Sequence, residues 1–252
     1  LHWQMIELEE ACQRILDAIH PTKEETIALP EIDGRILAED LIAPINLPTF
    51  DNSAMDGYAV RTAETGSGTR LKRIGEAPAG TVFEGEVGKD ECVRIFTGSP
   101  MPAGANAVVM QEDALIDGEN VEIIDGVKPF ENVRLRGEDV KEGDSIGYKG
   151  ELLSPGHLAL LGSCGVETVR VRRRPIIGLL ATGNELREPG AKLALGEIFE
   201  SNRQTIASLV KLAGAQPRIY PLVPDTLNDT VSALKAAFAE CDTVVTSGGV
   251  SV

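Results

Sequence analysis

Between Phe50 and Val60, two carboxylates (Asp51 and Asp56), an amide (Asn52) and a hydroxyl (Ser53) fall within six residues, and a strand-like run, Tyr58-Ala59-Val60, follows. Pro44 and Pro48 bias the residues ahead of them toward extended backbone, so this polar loop is entered without helix. It is a candidate site, although Asp51 and Asn52 could equally build Asx turns and Gly57 could simply supply a positive φ. Two further groups stand out downstream: Thr97-Gly98-Ser99, and Arg134-Leu135-Arg136-Gly137-Glu138-Asp139. Arginine suits bidentate recognition of an oxyanion, so Arg134 and Arg136 are candidate receivers. The plainer alternative is that they pair with Glu138 and Asp139 as a surface ion cluster.

A second set lies in the last third of the chain, where each member follows an apolar strand-like run. Thr182-Gly183-Asn184-Glu185, Pro224-Asp225-Thr226 and Ser247-Gly248-Gly249 would all fall at the carboxyl ends of parallel strands, where open α/β sheets bind ligands. Glycine lets backbone N–H groups come close to a phosphate, and a helix starting nearby adds partial positive charge. Glu185 and Asp225 cannot bind phosphate themselves but can hold a magnesium ion that does. The same residues also fit simpler roles: Asp225 a helix cap with Thr226, Glu185 a solvated loop residue, the glycine pair a turn.

The elements that position these groups follow from pattern. Residues 5–19 place Leu8, Cys12, Ile15, Leu16 and Ile19 on one stripe of an amphipathic helix ended by Pro21. Thr26 to Leu29 reads as extended, and Glu31 to Glu39 as a weaker helix interrupted by Gly34. From Pro48 to Asp139 the apolar pieces are short and separated by glycine and proline: Tyr58 to Val60, Leu71 to Ile74, Glu91 to Phe96, Ala107 to Met110 and Val121 to Ile124. That punctuation predicts a compact β domain. Ser154 to Leu161, with Pro155 just inside its start, predicts a helix, followed by Gly165 and a valine-rich strand.

After the triple arginine 172–174, read as solvated charge at a strand entry, the pattern changes. Ile176 to Leu180 is the continuous apolar run of a strand buried on both faces. A helix from Ser201 to Ala213, with Ile206, Leu209, Val210 and Ala213 on one face, is stopped by Gly214. A strand from Arg218 to Val223 comes next. Thr226 and Asp229 form a capping box for a helix whose stripe is Leu227, Val231, Leu234 and Phe238, and Thr243 to Thr246 is a third strand. The repeat predicts a doubly wound α/β domain.

Composition narrows the function. The 252 residues are 42% hydrophobic, enough to bury a core, and no apolar run approaches the length of a membrane span. A formal net charge of −15 argues against a nucleic-acid partner. Cys12, Cys92, Cys164 and Cys241, and His2, His20 and His157, are scattered, so neither a zinc site nor a disulfide framework is expected, and the cysteines read as buried free thiols. Met101 and Met110 read as core. The chain reads as soluble and cytoplasmic, without a membrane partner.

The stretch Phe50 to Val60 resembles the signature of the molybdenum insertion enzymes of molybdenum cofactor biosynthesis, the MoeA family, whose animal relative is the E domain of gephyrin. Matches continue in order: Arg94-Ile95-Phe96-Thr97-Gly98-Ser99-Pro100, Val108-Val109-Met110-Gln111-Glu112, Arg136-Gly137-Glu138-Asp139, Ala181-Thr182-Gly183-Asn184-Glu185-Leu186, and Ser247-Gly248-Gly249-Val250-Ser251-Val252. The resemblance implies a multidomain α+β and α/β protein: a helical support domain (1–47 plus 140–173), an inserted β-rich domain (48–139) and an α/β molybdopterin-binding domain (174–252). It also implies insertion of molybdate into adenylylated molybdopterin with release of AMP. Asp56, Thr97, Glu185 and Asp225 would serve turnover; Arg134, Asp139, Ser247, Gly248 and Gly249 would bind substrate and phosphate; Glu185 and Asp225 would hold Mg2+. Arg134, flanked by Val133 and Leu135, is a looser match than a run of arginines. Family members are homodimers whose cleft lies between the β domain of one subunit and the α/β domain of its partner, and the adenylylating enzyme of the pathway is a further implied partner.

In that family the α/β domain continues past the glycine turn with an aspartate and a lysine-containing loop, and a C-terminal domain follows. The resemblance therefore implies a fragment, or a tail beyond this sequence. Two other classes share some of the features: a non-catalytic binding or scaffold protein of the same family, and a competence-damage-inducible-type nucleotide-processing enzyme with similar Thr-Gly-x-Glu and Ser-Gly-Gly turns. The first 170 residues count against the latter.

Overall fold

The computed structural model describes residues 6–248. The chain divides into two compact units: one takes the chain up to Glu39, Tyr148–Ala159 and everything from Glu167 on, the other Asp40–Gly147 with Leu160–Val166. No helix among the described residues is long and apolar enough to cross a membrane.

The second unit is built on a six-stranded sheet in the order Ala107–Met110, Gly57–Val60, Glu91–Ile95, Arg70–Ala77, Asn120–Ile123, Ala114–Asp117. All neighbours are antiparallel except Arg70–Ala77 with Glu91–Ile95, which run parallel through a register shift between Arg73 and Gly75. Alternate residues of a strand face opposite sides, and both sides here are covered. Tyr58, Val60, Leu71, Cys92, Val109 and Ile123 form one buried layer, and Ala59, Val87, Val93, Ile95 and Val108 form the other, with Met101 packed against it. The five predicted strands are present; Ala114–Asp117, whose Leu115 and Ile116 are exposed, is a sixth that the sequence reading did not single out.

In the first unit, helix α1 (Leu8–Ala18) forms as its periodicity predicts, yet Leu8, Ile15, Leu16 and Ile19 are exposed. Cys12 on the same stripe is exposed too, so it departs from the expectation of buried thiols that Cys92 and Cys164 meet. Strand Glu24–Ala28 pairs antiparallel with Thr168–Arg172. The helix expected over 31–39 is absent. Leu29–Glu31 is a single 3-10 turn, Gly34 takes a φ of 68°, and Ile36 and Leu37 bridge to Leu152 and Val171. A left-handed glycine ends helical winding, and Leu37, fully buried, is placed by pairing instead. Helix α2 (Pro155–Ser163) starts at its proline as predicted.

The rest of this unit is a three-stranded parallel sheet in the order Gln216–Ile219, Ile176–Ala181, Thr243–Ser247, with helices α3 (Asn202–Leu212) and α4 (Leu227–Glu240) as crossovers. The second strand ends at Ile219, earlier than expected, because Pro221 removes a ladder donor; Val223 rejoins through a bridge to Thr182. Thr226 caps α4, its hydroxyl accepting from the Asp229 N–H at 3.2 Å. A short parallel pair, Leu186–Arg187 with Ile198–Phe199, lies between the first strand and α3.

Candidate functional site

The sequence-derived residues fall into two groups, one in each unit. In the β unit they gather around Asn52-Ser53. Ser53 is fully buried; its N–H donates to the Ser99 carbonyl (3.0 Å) and its carbonyl accepts from the Gly98 N–H (2.8 Å). On its other side Asn52 and Ser53 pair with Arg134 and Val133. The loop from Ser53 to Gly57 is thereby held between the Thr97-Gly98-Ser99 turn and the Arg134 strand, and the Ser53 hydroxyl fastens it by donating to the Met55 carbonyl (2.5 Å). Gly57 ends it with no choice of side chain, since a β-carbon there would stand 1.9 Å from the Val109 carbonyl oxygen.

This frame presents Asp56 to solvent. One of its carboxylate oxygens accepts from both the Thr97 N–H (2.8 Å) and the Thr97 hydroxyl (2.9 Å). The backbone bond first, then the hydroxyl bond, and the nearby Arg94 charge last, hold the Asp56 carboxyl below its ordinary range. The Thr97 proton is committed to Asp56, so the pair offers lone pairs outward. Arg94 is a residue that sequence reasoning passed over. Its guanidinium lies over Tyr58 and Phe96 (5.2 and 4.9 Å to the ring centroids) and donates to Gln111 Oε1 at 2.7 Å. Its signal was the Arg-Ile-Phe-Thr run, where it sits three residues before Thr97.

Arg134 pairs with Glu138 (Nε to Oε1, 2.6 Å) and with Asp139 through Nη2, the ion cluster weighed as the plainer alternative. Arg136 does not join it; its backbone N–H donates to Asp51 at 2.7 Å. Hydrogen bonds to Glu138 and Asp139 raise the Arg134 pKa further, and the triad carries one net negative charge. An oxyanion would meet the remaining N–H groups of Arg134 against that charge.

In the other unit the three turns converge as the sheet topology requires. The Thr182 N–H donates to the Ser247 carbonyl (3.1 Å), and the Gly183 N–H to the Val223 carbonyl (3.2 Å). Asn184 ties the second turn to the first, its Oδ1 accepting from the Asp225 N–H at 3.1 Å. Glu185 folds back over Gly183, both carboxylate oxygens 2.7 Å from where a β-carbon would stand. Gly248, at a φ of 96°, brings its backbone so close that a β-carbon would meet the Thr182 carbonyl at 2.6 Å. Gly249 lies outside the described residues. Among the described residues the buried Thr182 hydroxyl has no hydrogen-bond partner.

Two positioning residues here were not foreseen. Asn202, first residue of α3, donates to the Ser247 hydroxyl at 2.7 Å and so sets the helix start against the strand end. Arg187 donates to the carbonyls of Asn184 (3.0 Å) and Leu186 (2.7 Å) on either side of Glu185 and is itself paired with Glu197. Nothing in their spacing separated them from surface polar residues. Among the described residues no group of three or more His, Cys, Asp or Glu side chains is placed to hold a metal by itself. Glu185 and Asp225 are two exposed carboxylates on adjoining turns. As a donor set they fit magnesium, which takes one or two carboxylates and completes its shell with water and phosphate oxygens.

Comparison with known proteins places two family models one after the other along the chain. Residues 6–165 match the family model "MoeA N-terminal region (domain I and II)", and residues 178–252 match "Probable molybdopterin binding domain". The chain is 40% identical to the molybdopterin molybdenumtransferase of Haemophilus influenzae over 98% of its own length and 62% of that protein's, and 37% identical to that of Staphylococcus epidermidis over 98% and 60%. A crystal structure of the molybdopterin biosynthesis moeA protein of Pyrococcus horikoshii OT3 superimposes with a TM-score of 0.89 at 34% identity, covering 97% of this chain and 67% of that one. The chain thus spans about three-fifths of the curated relatives it matches, and with the N-terminal family model covering more than half of its residues, it belongs to the MoeA family.

Proposed function

We propose that this chain is the larger part of a molybdopterin molybdenumtransferase, which takes molybdate and adenylylated molybdopterin and yields the molybdenum-loaded pterin and AMP. The observation that carries this reading is the convergence of Thr182, Asn184, Asp225, Asn202 and Ser247 at the carboxyl ends of three parallel strands. That is the place where such sheets receive phosphate-bearing ligands. The relatives' name supplies the chemistry.

In this reading Ser247, Gly248 and Gly249 meet the phosphates, helped by the start of α3. Glu185 and Asp225 hold Mg2+, which when bound neutralises charge developing on the phosphate oxygens. Arg187 keeps Glu185 in place by gripping the carbonyls beside it. Asp56 and Thr97, offering acceptors rather than donors, suit the N–H groups of the pterin better than molybdate. Arg134 and Asp139 work as a pair, the carboxylate aligning the guanidinium whose free N–H groups then reach the oxyanion. A homodimer, a cytoplasmic location and contact with the pathway's adenylylating enzyme belong to the same proposal.

The test is release of AMP on adding molybdate to protein loaded with adenylylated molybdopterin. Glu185→Ala should abolish magnesium-dependent release while leaving the pterin bound; release at the parent rate would sink the metal assignment.

A further inference from the structure

At the other end of the three-stranded sheet, where the strands begin, a cavity of about 770 Å³ opens beside Pro175, Gly214 and Thr243. Five cations line it, Lys23, Arg35, Arg172, Arg173 and Arg174, against one carboxylate, Asp242, in a chain whose formal net charge is −15. The arginines expected to be solvated strand-entry charge are largely withdrawn from water: the side chains of Arg172 and Arg173 are 21% and 31% exposed.

Their partners show which charge remains to be met. Arg173 is held by Asp242 at 2.6 Å. Arg172 is held by Glu24 at 3.2 Å and by the Thr22 carbonyl at 3.0 Å. Arg35, nine-tenths buried, pairs with Glu25 through one Nη, and its Nε has no acceptor among the described residues. Among the described residues Arg174 reaches only the Asp33 carbonyl, at 3.3 Å, and the Lys23 side chain has no hydrogen bond or ion pair. Two full positive charges therefore face one concavity with no carboxylate assigned to them, beside a buried donor that lacks its acceptor. The remaining wall is apolar, with Ile19, Ile36 and Leu152. Pockets of this volume with an apolar lining and a few convergent polar groups are the usual form of small-molecule sites.

We infer that this cavity is a second ligand site, for a small organic phosphate whose dianionic head is received by Lys23 and Arg174 and whose body lies against Ile19, Ile36 and Leu152. A dianion matches the two unassigned charges. The apolar wall rewards a phosphate ester over the bare ion. The site is separate from the pterin reading, because the turns at Thr182, Asp225 and Ser247 stand at the opposite ends of the same strands.

Isothermal titration calorimetry with phenyl phosphate tests this, with inorganic phosphate as the second titrant. Saturable binding of phenyl phosphate, tighter than that of inorganic phosphate, is expected. A Lys23→Ala/Arg174→Ala chain should bind about tenfold more weakly or worse, since both charge-assisted contacts are gone. A Lys23→Arg/Arg174→Lys chain, which keeps the charge, should stay within about threefold of the parent. Lys235→Ala, which removes an exposed cation outside the cavity, should leave the affinity unchanged. The inference falls if phenyl phosphate does not saturate, if the double alanine chain binds as the parent does, or if Lys235→Ala is the variant that loses binding.

Discussion

In the six-stranded sheet, strand Gly57–Val60 lies between two aliphatic layers, with Tyr58 and Val60 in one and Ala59 in the other, all essentially without exposure. The three-stranded parallel sheet has a thinner cover. Its buried cluster is Leu180, Val223 and Ala237, and the helices turn Ala207 and Ala237 inward while Leu209, Leu212, Leu227 and Phe238 stand exposed. What fastens α3 instead is charge. Arg203, 2% exposed, binds Glu200 at 2.8 Å, Glu188 at 2.7 Å and the Tyr220 carbonyl. Burial pushes the Glu200 carboxyl up, but the Arg203 guanidinium and N–H outweigh it and hold it below its ordinary range. The Asp56 loop thus rests on apolar packing. The start of α3, where Asn202 meets Ser247, rests on an ion network one residue away.

Removing one member of that network should have the largest effect. Arg203→Ala leaves Glu200 buried and unpaired, and unfolding in urea followed by circular dichroism should show a loss of about 3–5 kcal/mol. A loss under about 1 kcal/mol would mean that α3 is held by its apolar contacts after all, and the contrast between the sheets would disappear. The apolar side of the contrast is checked by a pair of truncations. Leu71→Ala in the six-stranded sheet should cost about 2–5 kcal/mol through the cavity it leaves. Phe238→Ala on α4, already 63% exposed, should stay within about 0.5 kcal/mol of the parent. Equal costs would show that the outer face of α4 is covered in solution. Thr226→Ala removes the cap of α4 and should cost about 1 kcal/mol, a local effect independent of either core.

The same contrast decided what could be read from the residues alone. Strand alternation is tied directly to burial, so Tyr58 to Val60, Glu91 to Phe96 and Ala107 to Met110 were legible as strands. Helix periodicity located α3 and α4 but misjudged their inner faces. Leu209 and Phe238 weigh more in a hydrophobic stripe than alanine does, yet the inward-facing residues Ala207 and Ala237 are small. The helix expected over 31–39 failed on one residue, Gly34, whose left-handed backbone no apolar spacing reveals. In the candidate site, the residues on motif turns were singled out because glycine and acid recur where the strands were expected to end, and the structure brings those turns together. Arg94, Arg187 and Asn202 were missed because their work is to hold neighbouring carbonyls and side chains, and that depends on partners distant in sequence. For Arg134 both readings of the residues survive in one geometry, since the ion cluster with Glu138 and Asp139 leaves part of the guanidinium open.

The smallest expected effect concerns the loop that apolar packing supports. Asp56 is exposed, so its bond to Thr97 is screened by solvent and should matter less to stability than any change above. It should nonetheless carry a distinct pH signature. The Asp56 carboxyl is held below its ordinary 3.8 chiefly by the Thr97 N–H, then by the Thr97 hydroxyl. A group whose pKa is lowered by folding contributes stability above its unfolded value and loses that contribution as pH falls through the lower folded value. The stability gap between the parent and Asp56→Ala should therefore be constant at pH well above the ordinary 3.8 and should close only as pH falls below that value and through the lower folded one. Thr97→Val, which deletes the hydroxyl bond and keeps the N–H bond, should shift the closing point upward without abolishing the gap, because the larger of the two causes remains. A gap that persists unchanged at the acid end would mean that Asp56 acts through neutral contacts. The loop would then owe its position to the Ser53 hydrogen bonds and the Gly57 packing, with no contribution from the Asp56 charge.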